Sequence, residues 1–208
     1  FKAIGKFVGK YWRQLVAVGI GIATAGIASG LSFWAGLAVS VAGGALAGYV
    51  STGTLNGALI GAFSGAAFYG VGQYFESLRH ANGLEAANAA DTAGTGNVQQ
   101  AFAYAANASL NSVQRIGQVV AHGMAGGVIG KLQGGRFAHG FASAGITKAF
   151  SRTIASINVG SRLGNMYLQT TAAAVLGGGI SEATGGKFGN GARTAGFGYL
   201  FNQVISNG

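Results

Sequence analysis

Residues 14–75 contain no Asp, Glu, Lys, Arg or His. Within this run Gly53, Gly57, Gly61 and Gly65 recur at every fourth position. Residues four apart share one face of a helix. The spacing therefore predicts a smooth glycine face that a second helix backbone can approach, as small-residue faces do in bilayers. In water each such glycine costs a helix roughly 1 kcal/mol relative to alanine. Close helix–helix packing offsets that cost, so the run reads as helical and built for tight packing in a membrane.

The composition agrees. Charged residues make up 8% of the 208 residues, against about 25% in an ordinary soluble domain. Hydrophobic residues reach 50% and glycines number 40, while proline and cysteine are absent. No disulfide frame or thiolate chemistry is available, and uninterrupted helices separated by glycine turns are expected. The net charge of +9 suits an anionic membrane surface. Its cations are spread along the chain without an interleaved aromatic pattern, so no specific nucleic-acid partner is expected.

Residues 1–13 place Lys2, Lys6, Lys10 and Arg13 on one side at helical spacing, opposite Ile4, Phe7, Val8 and Tyr11. This predicts a basic amphipathic helix, with Tyr11 and Trp12 where interfacial aromatics sit. The competing reading is a solvated helix capping a soluble bundle. A cleaved leader is not expected, because the chain does not begin with Met and apolar runs continue beyond Gly30. Three apolar segments follow, over about 14–33, 34–50 and 54–75. A helix of about 19 residues spans roughly 28 Å, close to a hydrocarbon core. Residues 76–114 hold three of the four acids, Glu76, Glu85 and Asp91, together with Ala and Asn runs. They read as a polar linker with helical pieces, one over about 97–115.

An internal repeat occupies 115–208. Gly134-Gly135-Arg136-Phe137-Ala138-His139-Gly140 recurs as Gly185-Gly186-Lys187-Phe188-Gly189-Asn190-Gly191, each copy preceded by a small-residue apolar run. A weaker echo relates Asn56-Gly57-Ala58 to Asn190-Gly191-Ala192. Each copy predicts a helical hairpin. The first helix closes at the Gly-Gly with Gly135 or Gly186 at positive φ. Phe137 or Phe188 tucks the turn inward, and His139 or Asn190 lies near the next N-cap.

Enzyme motifs are missing: no phosphate-binding glycine loop, H-E-x-x-H or nucleophile elbow occurs. His122, His139 and Glu182 are the one set that could converge on a metal, and their spacing does not require it. Neither catalysis nor a metal or other cofactor is expected.

The Gly-Gly-Arg/Lys-Phe segments at 134–150 and 185–201, and the stretch Ala62-Phe63-Ser64-Gly65-Ala66-Ala67-Phe68-Tyr69-Gly70, resemble the C-terminal regions of bacterial RHS-repeat effectors. Many such effectors are delivered by type VI secretion. The resemblance covers most of the chain from about Gly53 onward. It implies a toxin held in an RHS shell before release, a cognate immunity protein, and secretion from the producer toward a target cell's inner membrane. A start at Phe1 fits a release product. Some of these regions form pores, whereas others precede a separate toxin domain. The expectation is an all-α, membrane-inserting pore-former, with a homo-oligomer as one way to build the pore. The alternative is a hydrophobic translocation or packing module.

Overall fold

The computed structural model describes residues 2–28, 30–92 and 109–204. Among these residues every regular element is helical: α1 (Lys2–Ala28), α2 (Phe33–Thr52), α3 (Leu55–Thr92), α4 (Ser112–Leu132), α5 (Phe137–Ala149), α6 (Ser151–Ala155), α7 (Arg162–Ala183) and α8 (Phe188–Tyr199). A π-helical turn, Leu200–Val204, follows α8.

Three expected boundaries move. The basic segment 1–13 is not a separate helix, because α1 runs unbroken through it. The linker expected over 76–114 is in its first part a continuation of α3. Ala, Leu, Glu and Arg all favour helix there, and Glu76 pairs with Arg79 three residues on at 3.1 Å. Glu76 and Glu85 sit on helix rather than in a loop, Glu85 exposed and Glu76 half-buried. The helix expected over about 97–115 falls largely on residues 93–108, outside the described residues. Its C-terminal part is contradicted, since α4 starts afresh at Ser112 behind a capping box. Asn111 Oδ1 accepts from the Gln114 amide at 2.8 Å, and Gln114 Oε1 accepts from the Asn111 amide at 3.0 Å. Asn82 and Gln114 then exchange side-chain hydrogen bonds at 2.7 and 3.2 Å, tying α3 to α4.

Glycine decides how the helices meet. Along α2 the buried positions are Gly36, Ser40, Gly43, Gly44, Ala47, Gly48 and Ser51. This face lies antiparallel on α3. A Cβ on Gly44 would run into the Gly61 carbonyl oxygen, one on Gly48 into the Gly57 oxygen, and one on Gly65 into the Ser40 oxygen. Gly53 is not part of the ladder. It ends α2 at φ 74°, its N–H bonded to the Tyr49 oxygen at 2.6 Å. Regular spacing placed it on the helix face, but the left-handed residue that closes a helix must lie outside it.

The same contact recurs twice. In the α4–α5 pair, Gly140 fits against the Gly126 oxygen and the Gly130 Cα. In the α7–α8 pair, Gly191 fits against the Gly177 oxygen and the Ser181 side chain. Phe137 covers Gly127 and Phe188 covers Gly178; Phe137 is half-buried, whereas Phe188 stays 38% exposed.

The Gly-Gly turns correct the expected register by one residue. Positive φ falls on Gly134 (75°) and Gly185 (90°), not on Gly135 and Gly186. Both turns are Schellman motifs. The Gly135 amide donates to the Gly130 oxygen at 2.8 Å and the Gly134 amide to the Lys131 oxygen at 2.9 Å. Gly186 and Gly185 donate to the Ser181 and Glu182 oxygens at 2.7 and 2.9 Å. That pattern requires the left-handed residue first. The second glycine is held by crowding instead: a side chain on Gly186 would meet His139 and Ser181. Arg136 and Lys187 are the N-caps of α5 and α8, which puts His139 and Asn190 at the third helical position rather than near the cap.

A small apolar core joins the two halves. Ile22, Ala25 and Ala28 of α1, Phe68 and Tyr69 of α3, Ile129 and Ala144 meet Leu200 and Phe201 of the π turn. The repeat is unequal here, because Phe201 is buried while the matching Phe150 is half exposed.

Two substitutions in α3 separate packing from propensity. Gly61→Ala sets a methyl against the α2 backbone and should destabilise by about 1–3 kcal/mol. Gly70→Ala meets open space and should stabilise by about 0.5–1 kcal/mol. Chemical unfolding of the two variants beside the parent checks the difference in sign.

Candidate functional site

The expected site residues fall into three groups. Trp12 and Arg13 lie on α1, exposed, with the Arg13 guanidinium 5.6 Å from the Trp12 ring centre. Arg13 also reaches the Gly53 turn, placing a cation at the C-terminus of α2, where the helix dipole favours it. Lys2, Lys6, Lys10 and Tyr11 belong to the same helix, but their side chains lie outside the described residues. The second group is Gly57, Gly61 and Gly65, whose partner is the Ser40–Gly44–Gly48 face of α2. The ladder is therefore filled by α2 within the chain, with Gly57 and Gly61 also bordering a small cleft at the α2–α3 turn. The third group, the two Gly-Gly turns, comes together at one end of the repeat half. Asn190 Nδ2 donates to the Gln133 oxygen at 3.3 Å, and His139 stands against Gly186.

The surface of these helices is inverted relative to a protein folded in water. On α2, Trp34 is 75% exposed, and Leu46 and Tyr49 face outward. On α3, Leu55 and Leu59 are 77% and 71% exposed and Phe63 also faces outward. Val113, Ile116, Val120, Met124, Val128 and Leu132 form an exposed stripe along α4. Many of the large apolar side chains are thus outside while glycines and hydroxyls line the α2–α3 contact, although Phe68, Tyr69 and Ile129 are buried. Scattered exposed apolar residues are ordinary; a continuous face of them marks a surface meant for lipid or a partner. Among the described residues α2 is the one helix long and apolar enough to cross a membrane, and Trp12–Ala28 is a shorter apolar helix.

His122, His139 and Glu182 do not assemble. Among the described residues no group of three His, Cys, Asp or Glu side chains could hold a metal ion. His122 instead belongs to a buried polar cluster that sequence reading missed. Its ring stacks on Phe68 with centroids 5.8 Å apart, and Nδ1 lies 2.8 Å from the Gln118 oxygen. The Nε2 atom is buried without a partner in ordinary hydrogen-bond geometry. Beside it the partly buried Lys148 donates to Asn202 Oδ1 at 2.6 Å. Burial first, then the Lys148 charge, push His122 down to about 3, against the opposing pull of the Gln118 oxygen and Asn202. Burial, followed by the Arg79 charge, lowers Lys148 to about 7, with Glu76 opposing. The visible signal was Lys148 following an uncharged stretch of α5. That Asn202 faces it is a long-range fact with no local trace.

No protein-family model, curated protein or solved structure matches the chain.

Lys148 makes stability depend on pH. Its pKa is lower folded than unfolded, so from about 10.5 down to about 7 the unfolded chain takes up a proton that the folded chain refuses. Stability should fall as pH drops through that window, and the Lys148 contribution levels off below it, where His122, lowered from 6.5 to about 3, begins a second fall. Lys148→Met should remove this slope, as read from unfolding midpoints of both proteins across the window.

Proposed function

We propose that the chain inserts into a membrane through α1–α3 and acts as an antibacterial pore-forming toxin, dissipating the potential of a target bacterium's inner membrane. The observation that carries this reading is the inverted surface of the α2–α3 pair. In water, leaving a large aliphatic side chain exposed forgoes about 1.5–3 kcal/mol, and burying glycine in its place regains almost none of it. In lipid the exposed side chains meet hydrocarbon, and close packing of small residues is what holds helices together. The crossing segments are α2, the uncharged part of α3 and the apolar part of α1. Their backbone groups are satisfied within helices, as hydrocarbon demands.

The basic start of α1 meets anionic headgroups through Lys2, Lys6, Lys10 and Arg13, with Tyr11 and Trp12 at the interface. The glycine contact keeps α2 and α3 together during insertion. Because α2 fills the ladder within one chain, the ion path lies between several copies, whose outward faces meet. An RHS shell in the producer would cover the same apolar surface, and an immunity protein would protect the producer. The resemblance at 134–150 and 185–201 supports both partners. The alternative, a translocation or packing module for a separate toxin, also uses that surface but opens no path.

Gly57→Leu together with Gly61→Leu tests the reading. The double change forces α2 and α3 apart while raising hydrophobicity, so the variant should still bind membrane. Bacteria producing the parent chain should lose the signal of a membrane-potential dye rapidly, and those producing the variant should keep it. Cell death with the potential intact would overturn the pore, and a membrane-bound parent that leaves cells unharmed would favour the module.

A further inference from the structure

We propose that the cavity between the two repeat turns binds a phosphate group, as the free ion or as the headgroup phosphate of an anionic lipid. The inference goes beyond the pore reading and does not rest on it. The cavity has a volume of about 290 Å³. Arg136 and Lys187 line it from the N-caps of α5 and α8, and His139 and Asn190 line it from the third position of each helix. Two helix N-termini thus present their positive ends to one space, and no side chain caps either of them. No acid lines the cavity; Glu182 is exposed at the end of α7.

A second observation points to a ligand. Thr194 lines the same cavity and is fully buried, yet its hydroxyl has no hydrogen-bond partner. Buried hydroxyls are normally satisfied. Gln133, also in the lining, has an unpartnered Oε1, and turning its amide over would present a donor. Asn190 is already held, donating to the Gln133 backbone and accepting from Arg193 Nη2 at 2.8 Å. Two exposed cations at its rim, an unsatisfied hydroxyl and two uncapped helix starts are complementary to a tetrahedral oxyanion. The adjoining cleft, lined by Gln133, Arg193 and residues of the α2–α3 turn, places the cavity beside the turn that Arg13 touches.

The test uses the full chain labelled with ¹⁵N-glycine in maltoside micelles, which carry no phosphate. Inorganic phosphate is titrated in one arm and phosphatidylglycerol in the other, with phosphatidylcholine, whose headgroup phosphate is offset by a quaternary ammonium, as the comparison of zero net charge. The Gly135 and Gly186 amides should shift and saturate. Saturation by inorganic phosphate assigns the free ion as sufficient. Saturation by phosphatidylglycerol alone assigns the lipid headgroup. Arg136→Gln with Lys187→Gln should weaken the response by roughly tenfold or more. The near-isosteric Thr194→Val should weaken it by about fivefold, a change that a diffuse basic surface would not produce. A shift that never saturates, or one equal in parent and variants, means an adventitious ion only and overturns the proposal. The measurement needs no membrane potential, so its failure is distinct from failure of the pore.

Discussion

Everything in this fold depends on helix backbones touching where side chains would normally stand. Gly44 against Gly61 and Gly48 against Gly57 set the distance between α2 and α3. Gly126 with Gly140, and Gly177 with Gly191, do the same in the two repeats. Three antiparallel pairs therefore use one device. The glycines weaken each helix as an isolated element, so the helices are stable only as pairs. Dispersion between closely apposed backbones replaces the large interlocking side chains of an ordinary core.

That choice sends the large side chains elsewhere. With the helix-pair contacts taken by glycine, alanine, serine and threonine, many of the leucines, valines and aromatics of α2, α3 and α4 occupy the outside, while Phe68, Tyr69, Phe75 and Ile129 are buried. The arrangement is unfavourable in water and natural in hydrocarbon, which is why packing and the proposed function are one argument. The charges follow the same division. Arg115 and Lys131 flank α4, and Arg162 and Glu182 flank the uncharged body of α7. Among the partly buried exceptions is Lys148, in the Lys148–Asn202–His122 cluster where α4, α5 and the π turn meet.

Much of the secondary structure could be read from the chain, because glycine spacing and the lack of proline are local signals. The ladder at 57, 61 and 65 and the two Gly-Gly turns were visible in that way. The errors were local too, and each has a physical cause. Gly53 continued the spacing, but a helix end needs a left-handed residue outside its hydrogen-bond ladder. Gly134 rather than Gly135 takes positive φ because a Schellman turn closes on its first glycine. Residues 76–92 looked like a linker since they are polar, yet alanine, leucine and the Glu76–Arg79 pair sustain a helix. What no pattern could supply were the long-range pairings: α2 filling the ladder, Asn202 facing Lys148, and both repeat turns lining one cavity.

The proposal is that a chain whose helix pairs meet on small residues and carry large apolar residues on their outer faces opens a path through lipid without covalent chemistry. Conductance of the purified chain in a planar bilayer containing phosphatidylglycerol tests it most directly. The account predicts discrete conductance steps that appear as protein is added and are absent with the Gly57→Leu, Gly61→Leu chain. A bilayer that binds the parent chain yet keeps its resting conductance would contradict it.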